Sequence, residues 1–170
     1  LRDKDGILEV VAHPRRERDG DVLAEREFTE TYEKATDPRF VVLERFVPHG
    51  RAASAQPELL FTIFPNTNGG WSIQTVKPAD SKFGSRKLLP EPWRGLNGSD
   101  LAAQTGVDID RKQLHLFAST DGRSYLIQAR RLAAYLQAGL LVPAEEEALT
   151  VRATRDALAK LEANPERLLA

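Results

Sequence analysis

ELLFTIFPNTNGGWSIQTVK, Glu58 to Lys77, holds two strand-like runs around one turn. The first, Glu58 to Pro65, is apolar at consecutive positions, the pattern of a strand buried on both faces. The second, Trp71 to Lys77, alternates, with Trp71 and Ile73 on one side and Ser72 and Gln74 on the other. Between them lies NTNGG, whose asparagines and glycines tolerate positive φ, so the pair reads as a hairpin. A hairpin whose first strand is buried on both faces belongs in the middle of a sheet.

The flanking sequence supplies the rest of that sheet and its helices. FVVLERFV, Phe40 to Val47, is rich in β-branched and aromatic residues and reads as a strand. RAASAQ after it reads as a loop. Upstream, Asp21 to Thr36 has helical periodicity, with Leu23, Phe28, Tyr32 and Ala35 near one face and Asp37–Pro38 as the stop. ILEVVA, residues 7–12, predicts a further short strand. Downstream, Ser99 to Gly106 predicts a short helix, with Ser99 as N-cap and a closing glycine, and QLHLFAS, Gln113 to Ser119, a buried strand. Leu126, Ala129, Leu132, Ala133 and Leu136 form a helical stripe over Ser124 to Ala138. A last helix is expected from Pro143 to about Ala163, with Glu145, Glu146 and Glu147 at its positive end and Leu149, Leu158 and Leu161 facing inward. The fold class is α/β: a mixed sheet with a central β-hairpin, packed by helices.

Composition narrows the chemistry. The 170 residues are 41% hydrophobic and 29% charged, enough apolar surface for a real core, and the net charge of −1 leaves any polyanion site to a local patch. There is no cysteine, so disulfides, thiolate metal ligands and thiol nucleophiles are excluded, and a reducing, cytoplasmic setting is expected. No apolar run has membrane-spanning length. The first residue is Leu1, and a fragment or processed chain is expected. The three histidines, His13, His49 and His115, are scattered, and His115, between Leu114 and Leu116, reads as a hydrogen-bonded core histidine. Asp108 and Asp110 read as a solvated loop. No nucleophile elbow, phosphate loop or dinucleotide glycine signature occurs, so neither a catalytic centre nor a metal site is expected from these residues.

Binding is better served. FGSRKLLPEPWRG, Phe83 to Gly95, combines Arg86, Lys87 and Arg94 with Glu91, Trp93 and two stiffening prolines. The guanidinium forks suit phosphate, and Trp93 could stack on a base. The same residues would also serve a Trp-anchored structural loop whose arginines pair internally. Gly69 and Gly70 similarly allow either an anion cradle of backbone N–H groups or a plain hairpin turn.

LLFTIFPNTNGGWSIQTVK followed by FGSRKLLPEPWRGL resembles the C-terminal half of the Myg family, metal-dependent phosphoesterases of the DHH superfamily with 3′-to-5′ RNA exonuclease activity. The strand FVVLERFVP, the GGW turn and TGV, Thr105 to Val107, fit the same pattern, densest over residues 40–107. The resemblance implies that residues 1–142 form a substrate-binding domain and that residues 143–170 are an appended helix without a family counterpart. It also implies that the Mn or Mg site lies in an upstream DHH domain, so that this chain binds no cofactor and is inactive alone. A stand-alone, non-catalytic module for a nucleotide, RNA or protein is the alternative. By the resemblance, Gly69, Gly70, Arg86, Lys87, Glu91 and Arg94 face the substrate cleft, and Trp71 and Trp93 shape it. In FASTDG, Phe117 stands where the family carries histidine.

Overall fold

A computed structural model describes residues 14–66, 70–109, 114–129, 138–139 and 144–170. The strand expected at residues 7–12, His13, Gly69 and Asp110 lie outside the described residues. The elements are α1 (Pro14–Glu33), β1 (Phe40–Val42), α2 (Gly50–Ala55), β2 (Phe61–Pro65), β3 (Trp71–Thr75), α3 (Gly98–Thr105), β4 (Leu114–Ala118), β5 (Ser124–Ala129), α4 (Ala144–Ala163) and α5 (Glu166–Leu169). A 3-10 turn at Glu91–Trp93 punctuates the long excursion between β3 and α3.

The strands form one mixed sheet in the order β1-β2-β3-β5-β4. The expected hairpin is there: β2 and β3 pair antiparallel with Phe61 opposite Thr75 and Pro65 opposite Trp71. On its outer side β2 pairs parallel with β1, a geometry that requires a crossover, and α2 lies within it. On the other side β3 pairs with β5, and β5 with β4, both antiparallel.

Alternation along the strands builds two cores. Phe61, Ile63, Trp71, Ile73, Leu114, Leu116, Tyr125 and Ile127 point to one face, where Leu101 of α3 and Ala157 and Leu158 of α4 cover them. On the opposite face Val41, Leu59 and Phe64 meet Ala24 and Phe28 of α1 and Ala52 and Ala53 of α2. Each fully buried large side chain among these contributes roughly 1.5–3 kcal/mol. The helix expected as an appendage, α4, thus supplies core residues. The four-residue α5 ties down the end of the chain. Its Leu168 is buried, Glu166 pairs with Arg39 at 3.5 Å, and Arg167 donates to the carbonyl of Thr105. No described helix is long and apolar enough to cross a membrane.

Several expectations are corrected. Ser124–Ala129 is a strand, because these six residues fill the slot between β3 and β4 and send Tyr125 and Ile127 inward. RAASAQ falls on a helix whose small alanines let it lie flat against the sheet. In α1 the buried face is Ala24 and Phe28 with Tyr32 against them, whereas Leu23 is exposed. Asn97, not Ser99, caps α3, and Gly106 closes it in the left-handed conformation, φ 74°, that favours glycine. In β4 burial alternates, so His115 is exposed rather than in the core.

Candidate functional site

The loop from Phe83 to Gly95 is held in place by its own arginines. Arg86 donates to three backbone carbonyls: Ser54 at 2.6 Å, Leu59 at 3.0 Å, and Gln56. Its own backbone N–H donates to Val76. One guanidinium therefore fastens the end of α2 and the entry to β2 onto the exit from β3. Helix ends and strand approaches leave carbonyls without regular partners, and a cation with five N–H donors suits several of them at once. Arg94 Nε donates to the Leu89 carbonyl at 2.9 Å, and its side chain packs on Gly122. Gly122 has a φ of 73° in the β4–β5 turn, and a Cβ there would sit 2.8 Å from Arg94 Nε. Lys87 is half-buried and Glu91 is exposed.

The tryptophans are inside. Trp93 is buried against Tyr125, with ring centres 5.8 Å apart, so it presents no face on which a base could stack. Trp71 is buried too, and the Arg155 guanidinium sits 4.7 Å from its ring centre, within cation–π range. Burial pushes the Tyr125 phenol far above its usual range, so it remains protonated.

Gly70 lies at the other end of the hairpin. Its N–H donates to the Asn66 side chain at 3.0 Å, and its carbonyl accepts from the Asn66 N–H at 2.9 Å. A Cβ on Gly70 would collide with the carbonyl of Ile127. The close backbone approach that the glycine permits is to β5. Arg86 is anchored where β2 begins and β3 ends, whereas Gly70 adjoins the opposite ends of both strands. At about 3.3 Å per residue a five-residue strand puts them on the order of 15 Å apart. The structure therefore does not bring Arg86 together with Gly70.

A different concave surface opens on the second face of the sheet. The helices α1 and α2 cover that face over β1 and β2. At the step is a cavity of about 400 Å³ lined by Phe46, His49, Arg51 and Gln74, among others. Phe46 is 57% exposed and packs edge-on toward His49 and tilted on Phe64, whose ring centre is 5.3 Å away. His49 is buried and stacked on Phe28. Its Nδ1 lies 2.6 Å from the Val47 carbonyl, which can only accept, so Nδ1 carries the proton, and Nε2 accepts from Thr62 Oγ1 at 3.2 Å. Burial holds the His49 pKa below its ordinary value of 6.5, more than the Val47 hydrogen bond raises it.

Beyond the step, Gln74, Ser124, Leu126, Gln128, His115 and Phe117 share the uncovered half of the face. Cross-strand register fixes this: Phe64, Ser72, Leu126 and Phe117 form one row across four strands. Phe117 is 39% exposed and His115 stacks on it, with ring centres 5.9 Å apart and planes within 6°. Reading LHLFA with a period of two would have found this pair, since Leu114, Leu116 and Ala118 occupy every inward position.

Among the described residues no group of three or more His, Cys, Asp or Glu side chains could hold a metal ion.

Sequence comparison gives this geometry a setting. The family model described as "Uncharacterised protein family (UPF0160)", the MYG1 exonuclease model, matches residues 19–114, more than half of the chain. The yeast Saccharomyces cerevisiae MYG1 protein YER156C is 30% identical over 76 residues, 41% of this chain and 22% of that protein. Human MYG1 exonuclease is 41% identical over 49 residues, covering 29% of this chain and 13% of the relative. The mouse MYG1 exonuclease is 37% identical over 54 residues, 32% of this chain and 14% of the relative. The chain therefore spans less than a quarter of the length of these relatives. No solved structure matches it. The matched residues run from α1 through β1, the β2–β3 hairpin and the arginine-held loop to the start of β4, and by that match the chain belongs to the MYG1 exonuclease family.

Proposed function

We propose that this chain is the substrate-binding portion of a MYG1-type, metal-dependent phosphoesterase acting on RNA or nucleotide phosphodiesters. The observation that carries the reading is a pairing of two facts. The chain belongs to a family whose relatives are named exonucleases, and its described residues contain no grouping suited to a metal. Hydrolysis of a phosphodiester by such enzymes needs one or two metal ions to activate water and to stabilise the leaving oxygen. In this reading the ions, Mn²⁺ or Mg²⁺, belong to a DHH domain elsewhere in the full-length family protein. This chain supplies contacts that hold the strand. Lys87 and Arg94 are the loop cations best placed to reach phosphate, because Arg86 is spent on three carbonyls.

The test uses the 170-residue chain with a short fluorescent RNA and added Mn²⁺ or Mg²⁺. The expected result is binding without cleavage. Robust, chelator-sensitive cutting by this chain would overturn the division of labour. Absence of any RNA binding would overturn the substrate role.

A further inference from the structure

The half of the second face of the sheet that runs from Gln74 to Phe117 is explained by neither the loop nor the core. On this side the buried cluster draws on β1, β2, α1 and α2, while Gln74 of β3 and His115 and Phe117 of β4 are exposed. A sheet face left to water ordinarily carries charged or small polar side chains. Here it carries an exposed phenylalanine at each margin: Phe46 at the step beside α2, and Phe117 on β4. Phe46 packs on Phe64, and the Phe64–Ser72–Leu126–Phe117 row spans three strand spacings, which puts Phe64 and Phe117 on the order of 14 Å apart. Between them stand Gln74, Ser124 and Gln128, which are neutral donors and acceptors.

We infer that this face is a stacking platform for a single-stranded nucleic acid, with one base on Phe117 and another on Phe46. The inference rests on the proposed substrate role and names the surface that fulfils it. Three features distinguish such a strand from a protein partner. His115 and Phe117 are already stacked in parallel, so the pair presents an extended flat π-surface that a planar base can continue. The space between the aromatics offers side-chain amides and a hydroxyl, which suit base edges, and Leu126 is the one aliphatic side chain in the row between the rings. One cation stands at the margin: Arg51 lines the cavity beside Phe46. Glu25 lies 3.7 Å from Arg51, but the guanidinium remains open to solvent. One phosphate contact on this face suits a chain with a net charge of −1, in which stacking rather than charge carries most of the affinity.

The test is fluorescence anisotropy of labelled single-stranded RNA and DNA 10-mers, with wild type, Phe117→Ala, Phe46→Ala, Phe117→Tyr and Phe83→Ala. Phe83 is 80% exposed in the arginine-held loop and serves as a control for loss of a surface ring. Each platform alanine should weaken binding roughly 5- to 100-fold, the scale of one lost base stack. Phe83→Ala should bind as wild type does, and Phe117→Tyr, which keeps the ring, should lose less than Phe117→Ala. With Lys87, Arg94 and Arg51 as the phosphate contacts, the slope of log K against log salt should be about −2. Wild-type binding that survives both alanines unchanged would overturn the platform and leave the substrate role standing. No binding by wild type would overturn both. If Phe117→Ala instead dissolves a wild-type dimer and leaves RNA affinity unchanged, the face belongs to a second copy and the inference fails.

Discussion

The two faces of this sheet use aromatic residues to opposite ends. On the face packed by α3 and α4, Phe61, Trp71, Trp93 and Tyr125 are buried, and their large apolar area stabilises the fold. On the other face the covered half buries Phe28 and Phe64, while Phe46 and Phe117 remain in water. The same contrast separates the arginines. Arg86 is surrounded by backbone carbonyls, whereas Arg51 is exposed at the cavity mouth. Residue type does not reveal role here. What decides it is whether another element arrives to cover the side chain, and that is a property of topology.

Three measurements bear on this contrast. The largest effect should come from Phe61→Ala, which empties a fully buried site between β1 and β3. A loss of about 3–5 kcal/mol in denaturant unfolding is expected. A loss below 1 kcal/mol would mean that the covered face is not the main source of stability.

Next is Arg86→Ala. Stranding the Ser54, Gln56 and Leu59 carbonyls should cost about 1.5–3 kcal/mol, the range for hydrogen bonds to a charged group. RNA affinity measured on the folded protein should change less than twofold. A large loss of affinity at unchanged stability would move Arg86 from the structural side of the comparison to the binding side.

The smallest effect concerns His49, at the boundary between the covered and open halves. Because its pKa is depressed in the folded state, the unfolded chain takes up the proton first as pH falls. Its contribution to stability is therefore complete above pH 6.5 and declines as pH drops from there toward the folded-state value. The melting temperature should fall between pH 7.5 and 5.5, and His49→Gln should flatten that fall. An equal pH dependence in the variant would assign the effect to other groups.

How much of this could be read from the chain alone follows from what is local. The β2–β3 hairpin was legible because its evidence is contiguous: two apolar runs and a turn of Asn and Gly. Helix α3 was legible for the same reason, through the glycine that closes it. β5 was not. Leu126, Ala129, Leu132, Ala133 and Leu136 have helical spacing, and only the vacancy between β3 and β4 makes Ser124–Ala129 extended. The candidate residues of the loop were identified as a group, yet their geometry could not be foreseen. Whether Arg86 reaches a ligand or a carbonyl depends on Ser54, some thirty residues away in sequence. His115 was misplaced because its neighbours in sequence are apolar, while its neighbours across the strands leave its side uncovered.

The small tail helix α5 has a consequence for motion. Glu166 reaches Arg39, next to β1 at one margin of the sheet, and Arg167 reaches Thr105, at the end of the helix packed against β4 at the other. Four residues thus act as a strap from margin to margin. Loosening α5 would release both contacts together, which links the opening of the two margins. Amide protons of β1 and β4, although they belong to opposite borders, should exchange with deuterated water at a shared rate. Removing residues 166–170 should split that rate into two, with the three-residue β1 exchanging first.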